Sequence, residues 1–188
     1  MYSFYGLKKF IGQKVLNRLL KKSSKRQVKS CNIFNAKSLG ILCLINNKED
    51  YDKVLKLINF LKKEFSIPEI KILAYFPYKE DPFYLKSKLG FDYFKIDDLN
   101  LFCFPNNVEV RNFINDGFDI LLDLSKEDVI PLRFILHYSK SSFKVGNYSL
   151  YNESYYDMMI DIDINDYNEY ILQVVNYLKM LNNPVEKE

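Results

Sequence analysis

The chain has 188 residues, 48% of them hydrophobic and 16% aromatic, with a formal net charge of +3; this is the size of one domain, with surface enough to bury that neither disulfides nor metal are required. Its three cysteines, Cys31, Cys43 and Cys103, are odd in number and far apart, which excludes a disulfide framework or a metal-ligand motif and points to a reducing interior. No run approaches the roughly 18 apolar residues of a membrane span, and no secretory signal opens the chain, so a cytoplasmic protein is expected.

The first element, SFYGLKKFIGQKVLNRLLKK, reads as a helix. Phe4, Leu7, Ile11, Val15 and Leu19 recur at spacings of three or four and form a stripe; Arg18 interrupts it, Leu16 and Leu20 lie off it, and Gly6 and Gly12 each weaken the helix by about 1 kcal/mol relative to Ala. SSKRQVKS (23–30) comes next as a polar linker. Residues 1–30 hold nine bases (Lys8, Lys9, Lys14, Arg18, Lys21, Lys22, Lys25, Arg26, Lys29) and no acid, leaving 18 bases against 24 acids in the rest. A basic arm on an acidic body suggests an anionic partner, although Lys, Asn, Ile, Phe and Tyr are all heavily used, so lysine richness alone is weak evidence.

A domain is expected over 36–182, with 183–188 as a tail. SLGILCLI (38–45) has the length and apolar character of a buried strand, Asn46 and Asn47 can cap the next helix, and 49–65 repeats apolar residues at helical spacing. IKILAYF (70–76) completes a βαβ unit, which demands a parallel pair. Residues 77–105 are irregular, with a third strand at 91–96. A helix over 107–115 precedes Gly117, FDILLDLS (118–125) is the clearest strand, and a helix over 128–139 places Pro131 in its first turn, where a missing N–H costs nothing. Strands at 143–148 and 156–162 and a helix over 166–181 close the domain. Non-alternating apolar strands separated by amphipathic helices predict a single Rossmann-like α/β domain, its mainly parallel sheet covered by helices on both faces.

In such sheets ligands bind beyond the carboxyl ends of the strands. That rule selects Asn46 and Asn47, Tyr75 to Tyr78, Ser125 and Asn147. LINNKED replaces the glycine-rich dinucleotide turn and no P-loop occurs, which disfavours dinucleotide binding and P-loop hydrolysis. Ser125 suits either an anion contact or, more commonly, a helix cap. His137, the only histidine, falls near a helix end about 13 Å from the crevice, so no catalytic triad assembles. Asp161, Asp163, Asn165 and Asp166 resemble the opening of a calcium loop, but Asp166 stands where glycine is required and Leu172 where the bidentate Glu belongs; solvation and helix capping are the expectation, with no metal and no cofactor. Tyr75, Phe76, Tyr78, Phe83 and Tyr84 lie among prolines, where packing of an irregular loop is the commoner explanation than base stacking.

FDILLDLSKEDVIPLRFILHYSKSSFKVGNYS, with AKSLGILCLI before it and YDMMIDI and YILQVVNYLKMLN after it, resembles a family of small uncharacterised bacterial proteins over about residues 36–182. The FDILLDLS and KVG stretch is also distantly similar to the acceptor-side N-terminal half of heptosyltransferase-type glycosyltransferases. Those enzymes bind their donor with a second Rossmann-like domain, for which 188 residues leave no room, and no catalytic residue matches; the resemblance implies topology rather than transfer.

Two functional readings are open. The first is a non-enzymatic binding or adaptor protein that meets an anionic partner, RNA or a membrane surface, through residues 7–29, or a protein partner. The second is a domain binding a nucleotide or sugar phosphate near Asn46, Asn47 and Ser125, or a degenerate glycosyltransferase-like enzyme. A third is that the N-terminal helix simply docks on its own domain or on a second copy.

Overall fold

The computed structural model describes residues 2–22, 26–85, 89–125, 127–149, 153–162 and 167–181. Six strands, β1 (Ser38–Leu44), β2 (Glu69–Phe76), β3 (Phe91–Lys95), β4 (Ile120–Asp123), β5 (Phe143–Asn147) and β6 (Met158–Ile160), form one sheet in the order β3-β2-β1-β4-β5-β6. Every pairing is parallel, from Ser38 opposite Glu69 through to Asn147 opposite Ile160. The chain steps outward from β1 to β3, then returns to lay β4 on the other side of β1. That reversal is the topological switch of a doubly wound sheet, as the alternation of apolar runs and amphipathic segments predicts.

Helices α2 (Lys48–Glu64) and α5 (Tyr167–Met180) cover one face, where Ile41, Cys43, Ile72, Leu122 and Val145 meet Val54, Leu61, Val174 and Leu178. Helices α3 (Val108–Asn115) and α4 (Ile130–Tyr138) cover the other, where Leu42, Leu73, Tyr75 and Leu121 meet Val110, Phe113, Leu132 and Ile135. Burial on both faces is why the strands carry apolar residues without alternation. Asn107 caps α3 by accepting the Val110 amide at 3.0 Å, and Gly117 lies just past the helix at a φ of +64°, the left-handed stop that glycine adopts freely.

The N-terminal helix α1 (Tyr2–Lys22) adds a layer outside α4. Its seam differs from the stripe the periodicity predicts: Leu16, placed off that stripe, is 0% exposed beside Cys103, Ile130 and Phe134, whereas Leu7, placed on it, is 54% exposed. The reason is Gly12, which carries no side chain to mark a face. A Cβ there would collide with the carbonyl oxygen of Phe102 and crowd Ile130, so the helix lies tight against the body at a position with no side chain to signal it. Phe102 is held by a tight turn in which the Asn100 side chain accepts the amides of Phe102 and Phe104 at 2.8 and 3.1 Å.

The segment after α1 is anchored rather than free. Arg26 donates to the carbonyls of Ser141 and Ser142 at 2.5 and 2.6 Å and pairs with Asp157, and the Lys29 amide donates to Ser142 O at 3.1 Å. Packing begins before Ala36: Ile33 is fully buried, and the Asn32 side chain donates to the carbonyls of Lys179 and Leu181 at 2.7 and 2.8 Å, satisfying the end of α5.

Candidate functional site

The sequence rule places ligand contacts at the carboxyl edge of the sheet, and the two sides of the switch use that edge differently. At the end of β1, Asn47 is the N-cap of α2 and accepts the Asp50 amide at 2.9 Å, while Asp50 accepts the Asn46 amide at 3.1 Å. The Tyr78 hydroxyl donates to the Asn46 carbonyl. Asn46, Asn47 and Tyr78 border an open groove with Lys48, Phe83 and Tyr84, with the Asn46 backbone, the Asn47 side chain and the Tyr78 hydroxyl engaged in the local fold. Tyr75 and Phe76 belong to the core, Tyr75 stacked on Phe94 with centroids 4.8 Å apart.

Across the switch, β4 ends on Asp123, a carboxylate terminating an apolar strand. The residue is 5% exposed; the Tyr156 hydroxyl donates to one of its oxygens at 2.7 Å and the Ser125 amide to the other at 2.9 Å. Burial pushes the Asp123 carboxyl above its ordinary range, against the pull of the hydrogen bonds that Ser125 and Tyr156 make to it. The Tyr156 hydroxyl is itself raised, first by burial and then by the Asp123 charge.

Arg133 enters from the first turns of α4. It is 9% exposed, pairs with Asp128, donates to Gln13 Oε1 of α1 at 2.8 Å, and lies 5.9 Å from the centre of the Tyr155 ring. Desolvation lowers its pKa from the ordinary guanidinium value. The helix starts at Ile130, two residues later than the sequence predicts, with Pro131 in its first turn, where a missing N–H costs nothing. The N-cap is therefore Val129, which supplies no side-chain bond. The capping role expected of Ser125 is not realised; the serine lies too far upstream of the helix.

Asp123, Ser125, Asp128, Arg133, Asn147 and Tyr156 line a cavity of about 130 Å³, with Glu127, Ser149, Val129, Leu132 and Leu136 completing its wall. Three buried polar atoms on this wall, Ser125 Oγ, Arg133 Nε and Asn147 Oδ1, have no hydrogen-bond partner among the described residues. Each such atom costs about 1–3 kcal/mol of desolvation without return. Ser125 and Asn147 are the two positions that the strand-end rule selects on this side; Asp123, Arg133 and Tyr156 are new. The signals for the first two were present, a carboxylate closing an apolar strand and an arginine inside the apolar run IPLRFIL, but nothing in sequence order brings Tyr156 to them.

The remaining sequence-selected residues lie elsewhere. His137 is half-buried in the last turn of α4, its ring edge-on to Tyr138 at 4.9 Å, and burial together with the Lys144 charge lowers its pKa; it does not line the cavity. Lys144 is 4% exposed, donates to the Leu136 carbonyl, and is lowered to about 8, chiefly by burial and then by the charge of Arg26. Asp161 is exposed, whereas Asp163, Asn165 and Asp166 fall outside the described residues, as does Lys25. Among the described residues no three His, Cys, Asp or Glu side chains gather as a metal site. Burial raises the pKa of all three thiols, which holds them in the unreactive form.

Of the basic arm, Lys8 is half-buried and Lys9 exposed, and both interact with neighbours. Lys14 lies over the ring of exposed Phe10 at 4.4 Å, and Arg18, Lys21 and Lys29 are exposed. Lys22 ends the helix, and Arg26 is committed to the body.

Fold and cavity together define a doubly wound α/β domain with one polar pocket beside its switch point. Family of unknown function (DUF6913) matches residues 8–181, and the chain belongs to that family. The match takes in most of α1 as well as the sheet. No curated protein and no solved structure matches the chain. No helix among the described residues is long and apolar enough to cross a membrane.

Proposed function

We propose that this protein is a small-molecule-binding domain whose site is the pocket at the carboxyl ends of β4 and β5. The observation that carries this reading is the gathering of three buried, unpartnered polar atoms on the wall of one cavity. Folded proteins pair nearly all such atoms; three left over in one place are what a ligand would satisfy. The test is a fragment screen on the full chain, read by the backbone amide signals of Ser125 and Asn147 and by thermal unfolding. A ligand at a hundred times its Kd adds about 2.7 kcal/mol, roughly 5–10 °C for a chain of this length. Both responses should vanish in Ser125→Leu, which fills the cavity. A response that survives the substitution, or a library that leaves those amides unmoved, removes the reading.

A second reading is favoured by the outer face of α1. Phe10, Lys14, Arg18 and Lys21 fall at spacings of three and four, all exposed, with no acid in residues 1–30, so one helix face carries a row of cations beside an aromatic ring. The partner proposed is single-stranded RNA, its phosphates on the row and a base on Phe10. A membrane surface is the weaker candidate, because the seam of α1 centred on Leu16 already lies against the body and is not free to enter lipid. Three phosphate contacts give a slope of log K against log salt of about −2. Reversal of Lys14, Arg18 and Lys21 to Glu should abolish RNA binding. Unchanged RNA binding, or binding instead to anionic vesicles, overturns this reading.

A further inference from the structure

We infer that the β4–β5 pocket takes a small ligand bearing several hydroxyl groups, a polyol or part of a single sugar unit, and excludes phosphorylated ligands. The inference rests on the reading of that pocket as a ligand site and adds the ligand's chemical class.

Charge comes first. Among the described residues, Asp123, Glu127 and Asp128 face the cavity against one cation, Arg133. A phosphate is normally held by the planar fork of an arginine, but here one terminal nitrogen pairs with Asp128 and the other donates to Gln13. Nε is the guanidinium nitrogen without a partner among the described residues. With both terminal nitrogens already engaged, the fork is not free to close on an anion, which would also approach three carboxyl groups. The uncapped start of α4 favours negative charge, yet Asp128 directly precedes its N-cap Val129, so that preference is met from within the chain. A negative charge therefore enters at a loss.

Hydrogen-bonding capacity points the same way. The three unpartnered atoms are a donor (Arg133 Nε), an acceptor (Asn147 Oδ1) and a group that does either (Ser125 Oγ). A hydroxyl also does either, so two or three hydroxyls on one small skeleton satisfy all three at once. Should the Asn147 amide be turned round, the same hydroxyl accepts where it had donated. The cavity, about 130 Å³, is slightly smaller than the ~150 Å³ space that holds a benzene-sized molecule, so it takes a short polyol whole, or one edge of a sugar ring whose remainder stays at the mouth. Val129, Leu132 and Leu136 supply the apolar wall for its C–H face.

The experiment uses matched probes on the full chain: glycerol and glycerol 3-phosphate; glucose and glucose 6-phosphate; galactose and galactose 6-phosphate; and myo-inositol with its monophosphate. Titrations are followed by the amide signals of Ser125 and Asn147. The neutral member of at least one set should bind saturably, and its phosphorylated partner roughly tenfold or more weakly. Ser125→Ala, which removes the hydroxyl without adding bulk, should weaken the neutral ligand up to tenfold, and Ser125→Leu should abolish binding. A phosphorylated member that binds those amides as tightly as its neutral partner overturns the inference and leaves the site standing. If every set is silent while the fragment screen finds another ligand at the same amides, the class is wrong and the site right; if both are silent, the site itself falls.

Discussion

The two sides of the sheet handle polar groups in opposite ways. On the β3-β2-β1 side the buried strand and helix residues are apolar or aromatic, and most polar groups are spent on folding: Asn47 caps α2 at the carboxyl edge, and Lys71 pairs with Glu69 and Asp116 at the amino edge at 3.1 and 3.0 Å. Among the described residues the Tyr51 hydroxyl is the buried polar atom left without a partner there. On the other side, Asp123, Arg133, Ser139, Ser141 and Lys144 are all buried within the single stretch β4-α4-β5, where the only other buried polar residue described is Asn32. At the amino edge of the sheet the groups are matched: Ser139 and Ser141 share a hydrogen bond of 2.8 Å, and Lys144 holds the Leu136 carbonyl. At the carboxyl edge Asp123 is bonded on both oxygens, but Arg133 Nε, Ser125 Oγ and Asn147 Oδ1 are without partners among the described residues. A chain gives up stability where a function requires it, and here the unreturned cost is concentrated beside the switch point.

The largest expected effect tests whether Lys144 is buried with its charge. Its pKa falls from 10.5 to about 8 on folding, a difference worth about 3 kcal/mol. Below pH 8 the ammonium is charged in both states and the whole penalty of burying it is present. Between about 8 and 10.5 the unfolded chain holds the proton and the folded chain does not, so rising pH favours the folded state. Cysteines and tyrosines titrate in the same range, and Lys144→Met, which keeps them, cancels their contribution. The stability of the wild type relative to this variant should rise by up to about 3 kcal/mol across that window, measured by urea unfolding at several pH values. A flat difference would show that Lys144 reaches water, and the contrast between the two sides would weaken.

A smaller effect tests the attachment of α1 to the polar side. Gly12→Ala adds about 1 kcal/mol of helix propensity, yet its Cβ meets the Phe102 carbonyl, which belongs to backbone and cannot swing aside. Net destabilisation of about 1–2 kcal/mol is expected, with a shift in the amide signals of Gln13 and Arg133, whose side chains join α1 to the pocket at 2.8 Å. A stabilised variant would mean that α1 does not rest on the turn around Phe102.

How much of this was legible in the chain depends on the range of each interaction. The strands and helices were readable because periodicity is local: SLGILCLI and FDILLDLS declare buried strands wherever they lie. Ser125 and Asn147 were readable because strand ends are known once strands are. The seam of α1 was not, since a rule that ranks faces by hydrophobicity passes over Gly12, where closeness rather than burial decides. Arg26 read as part of a basic arm because charge counts do not show that Asp157, 131 residues away, waits for it. Arg133 and Tyr156 gain their roles only when α4 and the segment leading into β6 converge on Asp123, a matter of tertiary geometry.

The smallest effects separate the two edges most cleanly, because the same kind of substitution should act with opposite sign. Asn47→Ala removes a side chain that caps α2 and should cost about 1 kcal/mol, with no consequence for the pocket. Ser125→Ala removes a buried hydroxyl that makes no well-formed hydrogen bond among the described residues, its pull on the Asp123 carboxyl being shared with the Ser125 amide and Tyr156. It relieves a desolvation cost rather than breaking a bond, so the free protein should be unchanged or more stable by up to about 1 kcal/mol. A capping or core-packing serine would behave like Asn47 and lose stability. Only a group held ready for something absent from the chain can be deleted without loss to folding and with loss to binding. Urea unfolding of the two variants, set beside titration of the Ser125 variant with the neutral ligand, therefore distinguishes a serine kept for structure from one kept for a ligand.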